Sequence, residues 1–308
     1  MTAEIVPPRG ASLSGLRRTA RTLRDWIDAA DVTDGASAET RMAAFAGCVA
    51  LLEEDVEPIM QLQCRDRNRI ALQGNLLGAS AIGVRNVLLL SGDPPDAGDD
   101  PDVKTVFDLD SIRLISLARR LRDEGVLASG PKLSVRPDYF IGCAENPFAP
   151  AREKRIERLT AKVEAGAQFV QTQYVFDVPM TERWMQQVRD LGLNQRCNVI
   201  ASVGPIRSLR ALDRLSNLPG VYIPDEVKQR VRSTPPERLE QDAVGLCSET
   251  IQKLSEIPGI DGIHIIASGW DDFIPEVLRR AGIGDRAERD KATGMAARGL
   301  SGGRNSAD

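Results

Sequence analysis

The segment Arg85–Pro95, RNVLLLSGDPP, decides how the rest of the chain is read. Asn86–Leu90 is apolar apart from its first residue, and the run stops at Ser91-Gly92-Asp93-Pro94-Pro95. A short apolar run closed by Gly and Pro reads as a strand buried on both faces, as in a parallel sheet. The small residues allow a tight turn and a close approach of backbone to ligand. Asp93 then stands just past the carboxyl end of a parallel strand, where α/β folds hold their ligands. The plainer alternative is an Asp-Pro turn that only ends a strand.

Outward from this segment, strand and helix patterns alternate. Strands are expected at Ala3–Val6, Ala29–Val32, Pro58–Gln63, Asn86–Leu90, Tyr139–Cys143, Phe169–Gln173, Asn198–Ala201 and Gly262–Ile266. Helical spacing of apolar residues fills the intervals at Leu13–Asp25, Thr40–Glu53, Arg67–Ala81, Ser111–Asp123, Arg152–Ala165, Thr181–Leu191, from Ser208 to Leu215, Asp225–Arg232, Arg238–Leu254 and Ile274–Ala281. Ser111 is the expected N-cap of its helix, and Asp96–Lys104 is expected to be a mobile acidic loop. Eight alternations predict a single-domain α/β protein, a (β/α)8 TIM barrel over residues 1–284, with 285–308 a disordered tail. A doubly wound open sheet is the alternative. Neither a G-x-G-x-x-G nor a Walker A motif is present to favour it.

Composition narrows the function. The net charge of −4 and pI of about 5.4 give no reason to expect nucleic acid or an anionic membrane as partner. No window approaches the roughly 18 consecutive apolar residues of a membrane span, and MTAEIVPPRG has no apolar signal core. The five cysteines, Cys48, Cys64, Cys143, Cys197 and Cys247, are far apart, and His264 is the one histidine. That pattern argues against a thiolate or histidine metal site and against a disulfide framework. A cytoplasmic, metal-free protein is expected.

In a barrel, the strand C-termini share one face. They carry Glu4, Thr33-Asp34, Gln61–Cys64, Gly92-Asp93, Gly142–Asn146, Gln173-Tyr174, Gly204-Pro205 and Ser268–Trp270. This set pairs no nucleophile with a base. It is rich in amides and hydroxyls, which suits a planar polar cofactor with one acid for proton transfer. Glu4 is either a surface residue near a frayed end or an acid with a raised pKa in a partly apolar setting. Arg65, Arg67 and Arg69 oppose the helix dipole at their position, so carboxylate or phosphate partners, internal or ligand, are expected for them. His264, inside an apolar strand, reads as a core histidine.

Several stretches together resemble the methylenetetrahydrofolate reductase family. They are EIVPPRG (Glu4–Gly10), DAADVTD (Asp28–Asp34), CRDRNRIALQ (Cys64–Gln73), GVRNVLLLSGDPP (Gly83–Pro95), VFDLDS (Val106–Ser111), FIGCAENP (Phe140–Pro147), KVEAGAQFVQTQYVFD (Lys162–Asp177) and GVYIPDE (Gly220–Glu226). The resemblance implies a barrel that binds FAD, takes hydride from NAD(P)H and reduces 5,10-methylenetetrahydrofolate to 5-methyltetrahydrofolate in one-carbon metabolism, often as a homo-oligomer. It implies Glu4 as the acid that protonates the folate nitrogen and Asp93 as a catalytic residue between flavin and folate. Flavin contacts would come from Thr33, Gln61, Ser91, Gly92, Asp93, Asn146 and Lys162, and folate contacts from Gln173, Glu4 and Trp270. The chain departs from the family at three of these: Gln61 stands where members often have His, Ser91 where some have Arg, and Trp270 where a folate-contacting Arg is found in some bacterial members. Loosely held FAD, direct hydride transfer without flavin, the reverse oxidation, and a non-catalytic folate- or flavin-binding partner subunit are the alternatives that stay open.

Overall fold

The computed structural model describes residues 1–149, 152–218 and 220–292. Eight strands, β1 (Thr2–Ile5), β2 (Ala29–Val32), β3 (Pro58–Gln63), β4 (Asn86–Leu90), β5 (Phe140–Glu145), β6 (Phe169–Tyr174), β7 (Asn198–Val203) and β8 (Ile260–Ile265), close in sequence order into a barrel. Every neighbouring pair is parallel, and β1 closes the ring against β8 through Thr2↔His264 and Ala3↔Ile265. The helices are α1 (Ser14–Leu23), α2 (Ala44–Glu53), α3 (Arg69–Ala81), α4 (Ser111–Asp123), α5 (Arg152–Ala165), α6 (Val178–Asp190), α7 (Leu209–Ser216), α8 (Asp225–Ser233), α9 (Leu239–Ser255), α10 (Ile274–Arg280) and α11 (Arg286–Ala292). The expected fold class is the one observed.

The period of two along each strand sorts its side chains. Ala30 and Val32, Met60 and Leu62, Val87 and Leu89, and Ile141 and Cys143 point outward into one continuous core under the helices. Ala29, Ile59, Leu88 and Phe169 point inward and plug the lower barrel, with Leu90 and Ile200 packed against them. This explains the apolar run of β4: Leu88 fills the barrel while its two neighbours meet the helices. Above the plug the inward positions turn polar, with Thr2, Asp31, Gln61, Gln171 and His264 all buried. A separate cluster, Tyr174, Phe176, Ile206, Leu212, Leu215, Ile223, Val231 and Leu239, seats α7 and α8 beside the upper ends of β6 and β7.

Several local expectations change. The second helix begins at Ala44 rather than Thr40, because residues 36–38 form a 3-10 turn after Gly35, and Gly35, Ser37 and Ala38 have positive φ. The cap of α4 is Asp110, whose carboxylate accepts the Arg113 N–H, not Ser111. The expected acidic loop is tied down: the Thr40 N–H and hydroxyl donate to Asp99, and Arg9 pairs with Asp99 at 3.6 Å. Part of the expected tail is α11, where Arg289 donates to the Trp26 carbonyl and pairs with Asp28 at 2.8 Å. The remainder, 293–308, lies outside the described residues. No helix among the described residues is long and apolar enough to cross a membrane.

Gly142 shows how closely the plug is packed. A Cβ there would fall 2.1 Å from the Phe169 ring, which itself stacks on Phe140 at 5.5 Å between ring centroids. Gly142→Ala is expected to destabilise the fold by roughly 1–3 kcal/mol, as overpacking does. Thermal unfolding followed by circular dichroism should show the midpoint several degrees lower.

Candidate functional site

Glu4 lies in β1 directly opposite Asp31 of β2, and both side chains take inward positions. Burial acts first on Glu4, and the negative charges of Asp31 and Asp271 add to it, while Arg214 opposes. Together they push the Glu4 carboxyl up to about 8. Glu4 is therefore an acid that keeps its proton at neutral pH, and the frayed-surface reading falls. It lines a cavity of about 180 Å³ with Ser268, Gly269, Asp271, Gly15 and Thr19.

Beneath it, Asp31 is fully buried. Its Oδ2 accepts the side-chain amides of Gln61 and Gln171, each at 2.9 Å, and its Oδ1 has no hydrogen-bond partner. Burial raises the Asp31 carboxyl to about 6 against the lowering effect of the two amides. His264 is the core histidine expected: its Nδ1 meets the Thr2 hydroxyl at 2.9 Å, and burial drops its pKa to about 3, so the ring is neutral.

A second cavity of about 220 Å³ opens at the ends of β2 to β5. Of the residues expected at a cofactor, Gln61, Ser91, Gly92, Asp93 and Lys162 line it, joined by Gln63, Ser111, Ala144 and Arg158. Gly92 has φ +95°, so the turn after β4 demands glycine, and the Gln63 amide packs over the space a Cβ would take. The Ser91 hydroxyl accepts the Ser111 N–H, fixing the start of α4 to the rim. The exposed Asp93 carboxylate accepts the Ser37 N–H at 2.8 Å, which joins the loops after β2 and β4.

Glu4, Asp93 and Gln173 were expected on the one face that the strand ends share. Asp93 lines the larger cavity and Glu4 the smaller, and Gln173 lines neither. The Gln173 Oε1 turns back to accept the Tyr174 N–H. Gln61, expected on a cofactor, spends its amide nitrogen on Asp31. Asn146 donates to the Gly220 carbonyl and accepts from Phe148 N–H, so both ends of its amide bind backbone. Lys162 is buried in an ion pair with Glu145 at 2.9 Å while still reaching the cavity. Thr33 is buried with no partner for its hydroxyl. Trp270 stacks on Phe273 at 4.8 Å, and the guanidinium of Arg207, from the loop after β7, stands 5.6 Å from its ring. The three early arginines find internal carboxylates: Arg65 meets Asp66, Arg67 meets Asp34, and Arg69 meets Asp108.

Asp31, Gln171, Arg158 and Arg207 were not among the expected site residues. Asp31 carried a signal, since it is the one charged residue within the apolar strand Ala29–Val32 and alternation turns it inward. Gln171 shares that inward face two residues before Gln173. Nothing local marks Arg158 or Arg207.

A sequence model of the family described as Methylenetetrahydrofolate reductase matches residues 1–282. The chain belongs to the methylenetetrahydrofolate reductase family. This family member is 27% identical over 269 residues to a probable methylenetetrahydrofolate reductase (NADPH) of Caenorhabditis elegans, covering 83% of this chain and 36% of that one. It is 23% identical over 286 residues to the 5,10-methylenetetrahydrofolate reductase of Pectobacterium carotovorum subsp. carotovorum, covering 90% and 85%. The chain spans 36% and 41% of the lengths of its nematode relative and of methylenetetrahydrofolate reductase 1 of Schizosaccharomyces pombe. A Clostridium thermocellum protein that binds two copies of 5-methyl-5,6,7,8-tetrahydrofolic acid shares the fold, with TM-score 0.62 and 16% identity over 91% of this chain and 92% of that one.

The raised Glu4 carboxyl has a consequence for stability. Its folded pKa of about 8 exceeds the ordinary 4.5, so the native state holds a proton that the unfolded chain has lost. That contribution is complete below pH 4.5 and is lost as pH rises to 8. Glu4→Gln should therefore raise the unfolding midpoint relative to wild type at pH 8 and leave it nearly unchanged at pH 4. Scanning calorimetry at both pH values checks this, and an equal shift at both would mean that Glu4 is not held protonated.

Proposed function

We propose that the protein reduces 5,10-methylenetetrahydrofolate to 5-methyltetrahydrofolate with NAD(P)H, through bound FAD. The observation that carries this reading is Glu4, a carboxyl kept protonated at neutral pH at the mouth of a parallel barrel. Opening the imidazolidine ring of the folate requires a proton on the departing nitrogen, because an amide-like anion is a poor leaving group. The iminium carbon formed then accepts hydride. A group with a pKa near the working pH serves such a step best.

The residues of the larger cavity fit a flavin. Gly92 lets backbone approach a flat ring closely, Arg158 brings positive charge to the cavity wall, where Lys162 also stands in its pair with Glu145, and the buried hydroxyl of Thr33, next in sequence to the lining residue Asp34, lacks a partner in the protein. In this reading Thr33, Ser91, Gly92, Asp93, Lys162 and Arg158 hold the cofactor, with the oxygen of Gln61 free to join them. When bound, the flavin supplies a two-electron relay between NAD(P)H and the folate. Asp93, fixed by the Ser37 N–H, sets the charge at the cavity edge. Gln173 and Trp270 face the folate, with Arg207 beside Trp270 as a cation for the acidic end of the substrate.

A flavin-free route, with hydride passing directly from NAD(P)H to the folate, draws support from one observation: Arg65 and Arg67 are already neutralised by Asp66 and Asp34, and the Gln61 amide nitrogen is committed to Asp31. Titrating the purified protein with FAD while assaying NAD(P)H-dependent folate reduction separates the two. Saturable binding with activity that rises in step supports the flavin, and full activity with no binding overturns it.

The acid step is tested by Glu4→Gln. Reduction of flavin by NAD(P)H is a bare hydride transfer and should be nearly intact. Reoxidation by the folate should fall by roughly 10²–10⁴-fold, the usual contribution of a general acid. Stopped-flow absorbance reads the two half-reactions separately. Equal losses in both would assign Glu4 a structural role.

A further inference from the structure

Inside the described barrel, one carboxylate is stabilised by neutral groups alone. A buried Asp ordinarily meets an arginine or lysine, since an uncompensated charge in a low-dielectric interior is costly. Asp31 instead accepts two neutral amide N–H groups, from Gln61 on β3 and Gln171 on β6, both on the same oxygen. Its other oxygen has no hydrogen-bond partner. The nearest basic group, His264 on β8, stands 4.0 Å away through Nε2 and is neutral. Two N–H donors orient a carboxylate and leave its net charge in place. Glu4 is its register partner on the neighbouring strand, so the field of that charge falls on the Glu4 carboxyl.

We propose that Asp31 is a positioning residue for the acid: clamped by Gln61 and Gln171, its charge keeps the proton on Glu4 until the folate nitrogen takes it. The inference rests on the reading of Glu4 as the proton donor. The chemistry balances without any further reactant. The proton leaves the Glu4 oxygen for the folate nitrogen as the carbon–nitrogen bond of the imidazolidine ring breaks, and its electron pair stays on that nitrogen. Glu4 is left as a carboxylate beside the Asp31 carboxylate, and the repulsion between them favours prompt return of a proton from solvent.

The other groups that act on Glu4 are Asp271, in the segment after β8, which works in the same direction as Asp31, and Arg214 of α7, which works against it. The Tyr174 hydroxyl of β6 lies in the same surroundings and is held by Ser268 at 3.1 Å. Thr2 and His264 stay neutral. Asp31 itself titrates near pH 6 and Glu4 near pH 8. Both carboxyls are raised chiefly by burial, so at neutral pH the pair retains one proton.

The test is Asp31→Asn, whose single side-chain oxygen can still accept both glutamine amides. The readout is the infrared carbonyl band of protonated carboxylic acids, recorded from pH 5 to pH 9, with Glu4→Gln identifying which band belongs to Glu4. We expect the Glu4 midpoint to fall by on the order of one pH unit in Asp31→Asn. The alkaline limb of folate turnover should move down with it, whereas a purely structural defect lowers turnover equally at every pH. Asp31→Ser, which keeps an acceptor in a smaller side chain, gives the same readout if the asparagine variant does not fold. An unmoved Glu4 midpoint in a folded variant overturns the inference. The infrared titration needs no turnover, so a wild-type protein that fails to reduce the folate would defeat the proposed function while leaving the Asp31–Glu4 coupling to be judged by the band alone.

Discussion

A carboxylate sealed inside a ring of strands, with neutral amides for company, is the constraint on which the upper half of the barrel depends. Closure of eight parallel strands sends alternate side chains into a space that water does not fill. The lower part of that space is satisfied by Ala29, Ile59, Leu88 and Phe169. The layer above holds Asp31, Gln61, Gln171, Thr2 and His264, and each must find a partner or be left costly. Gln61 and Gln171 meet at Asp31 from opposite walls, so β2, β3 and β6 are joined across the interior by one oxygen atom. Breaking that junction would leave a buried charge with fewer donors, a more serious loss than a surface hydrogen bond. The same junction defines the floor under Glu4.

The rim above this floor is built on a different principle. The arginines of the loops after β2 and β3 are matched to carboxylates within the chain. Arg67 grips Asp34 with two nitrogens, at 2.7 and 3.0 Å, and Asp34 also accepts the Gln63 N–H, so the loop after β2 is locked to the end of β3. Asp93 reaches the Ser37 N–H, and Arg65 reaches the carbonyls of Gly35 and Asp93, so the loops after β2, β3 and β4 form one connected shelf. Exposed pairs such as Arg69–Asp108 add little to stability. The buried Lys162–Glu145 pair is more consequential, because removing either partner strands a charge between β5 and α5. A shelf fixed in this way is prearranged, so a bound ring need not order the loops on arrival.

The fold was legible because its signal is repeated. Four strand cores, β2, β3, β4 and the start of β7, lie where the apolar runs place them, and the helices follow their apolar stripes. Ends were less legible, since they depend on caps and turns. Asp110 wins the cap of α4 over Ser111 because its carboxylate reaches the N–H three residues on. The α2 start moved because Gly35, Ser37 and Ala38 adopt left-handed backbone to present an N–H to Asp93. Of the residues expected at the site, Ser91, Gly92, Asp93 and Lys162 line one cavity and Glu4 another. What sequence could not show is which amide faces which partner. Gln61 and Gln173 both sit at strand ends with the right chemistry, yet one binds Asp31 and the other folds back on Tyr174. That choice is made across the barrel, between residues more than 100 positions apart in the case of Asp31 and Gln171.

The position of Glu4, four residues into the chain, would ordinarily argue for fraying. Here the first strand is held from both sides. β1 pairs with β2 through four successive residues and with β8 through two, and the ring cannot close without it. The Met1 amino group pairs with Asp28, which also holds Arg289 of α11. The outward residues Ala3 and Ile5 are packed in the main core, and the inward Thr2 is bound to His264. Glu4 is thus held within a strand gripped on both faces, with its side chain half-buried at the wall of the cavity it shares with Asp271. Burial raises its pKa most, and the two carboxylates near it raise it further. The terminal placement therefore does not count against Glu4 as an acid: closure of the ring through β1 is what fixes it opposite Asp31, where burial and that neighbouring carboxylate both favour its protonated form.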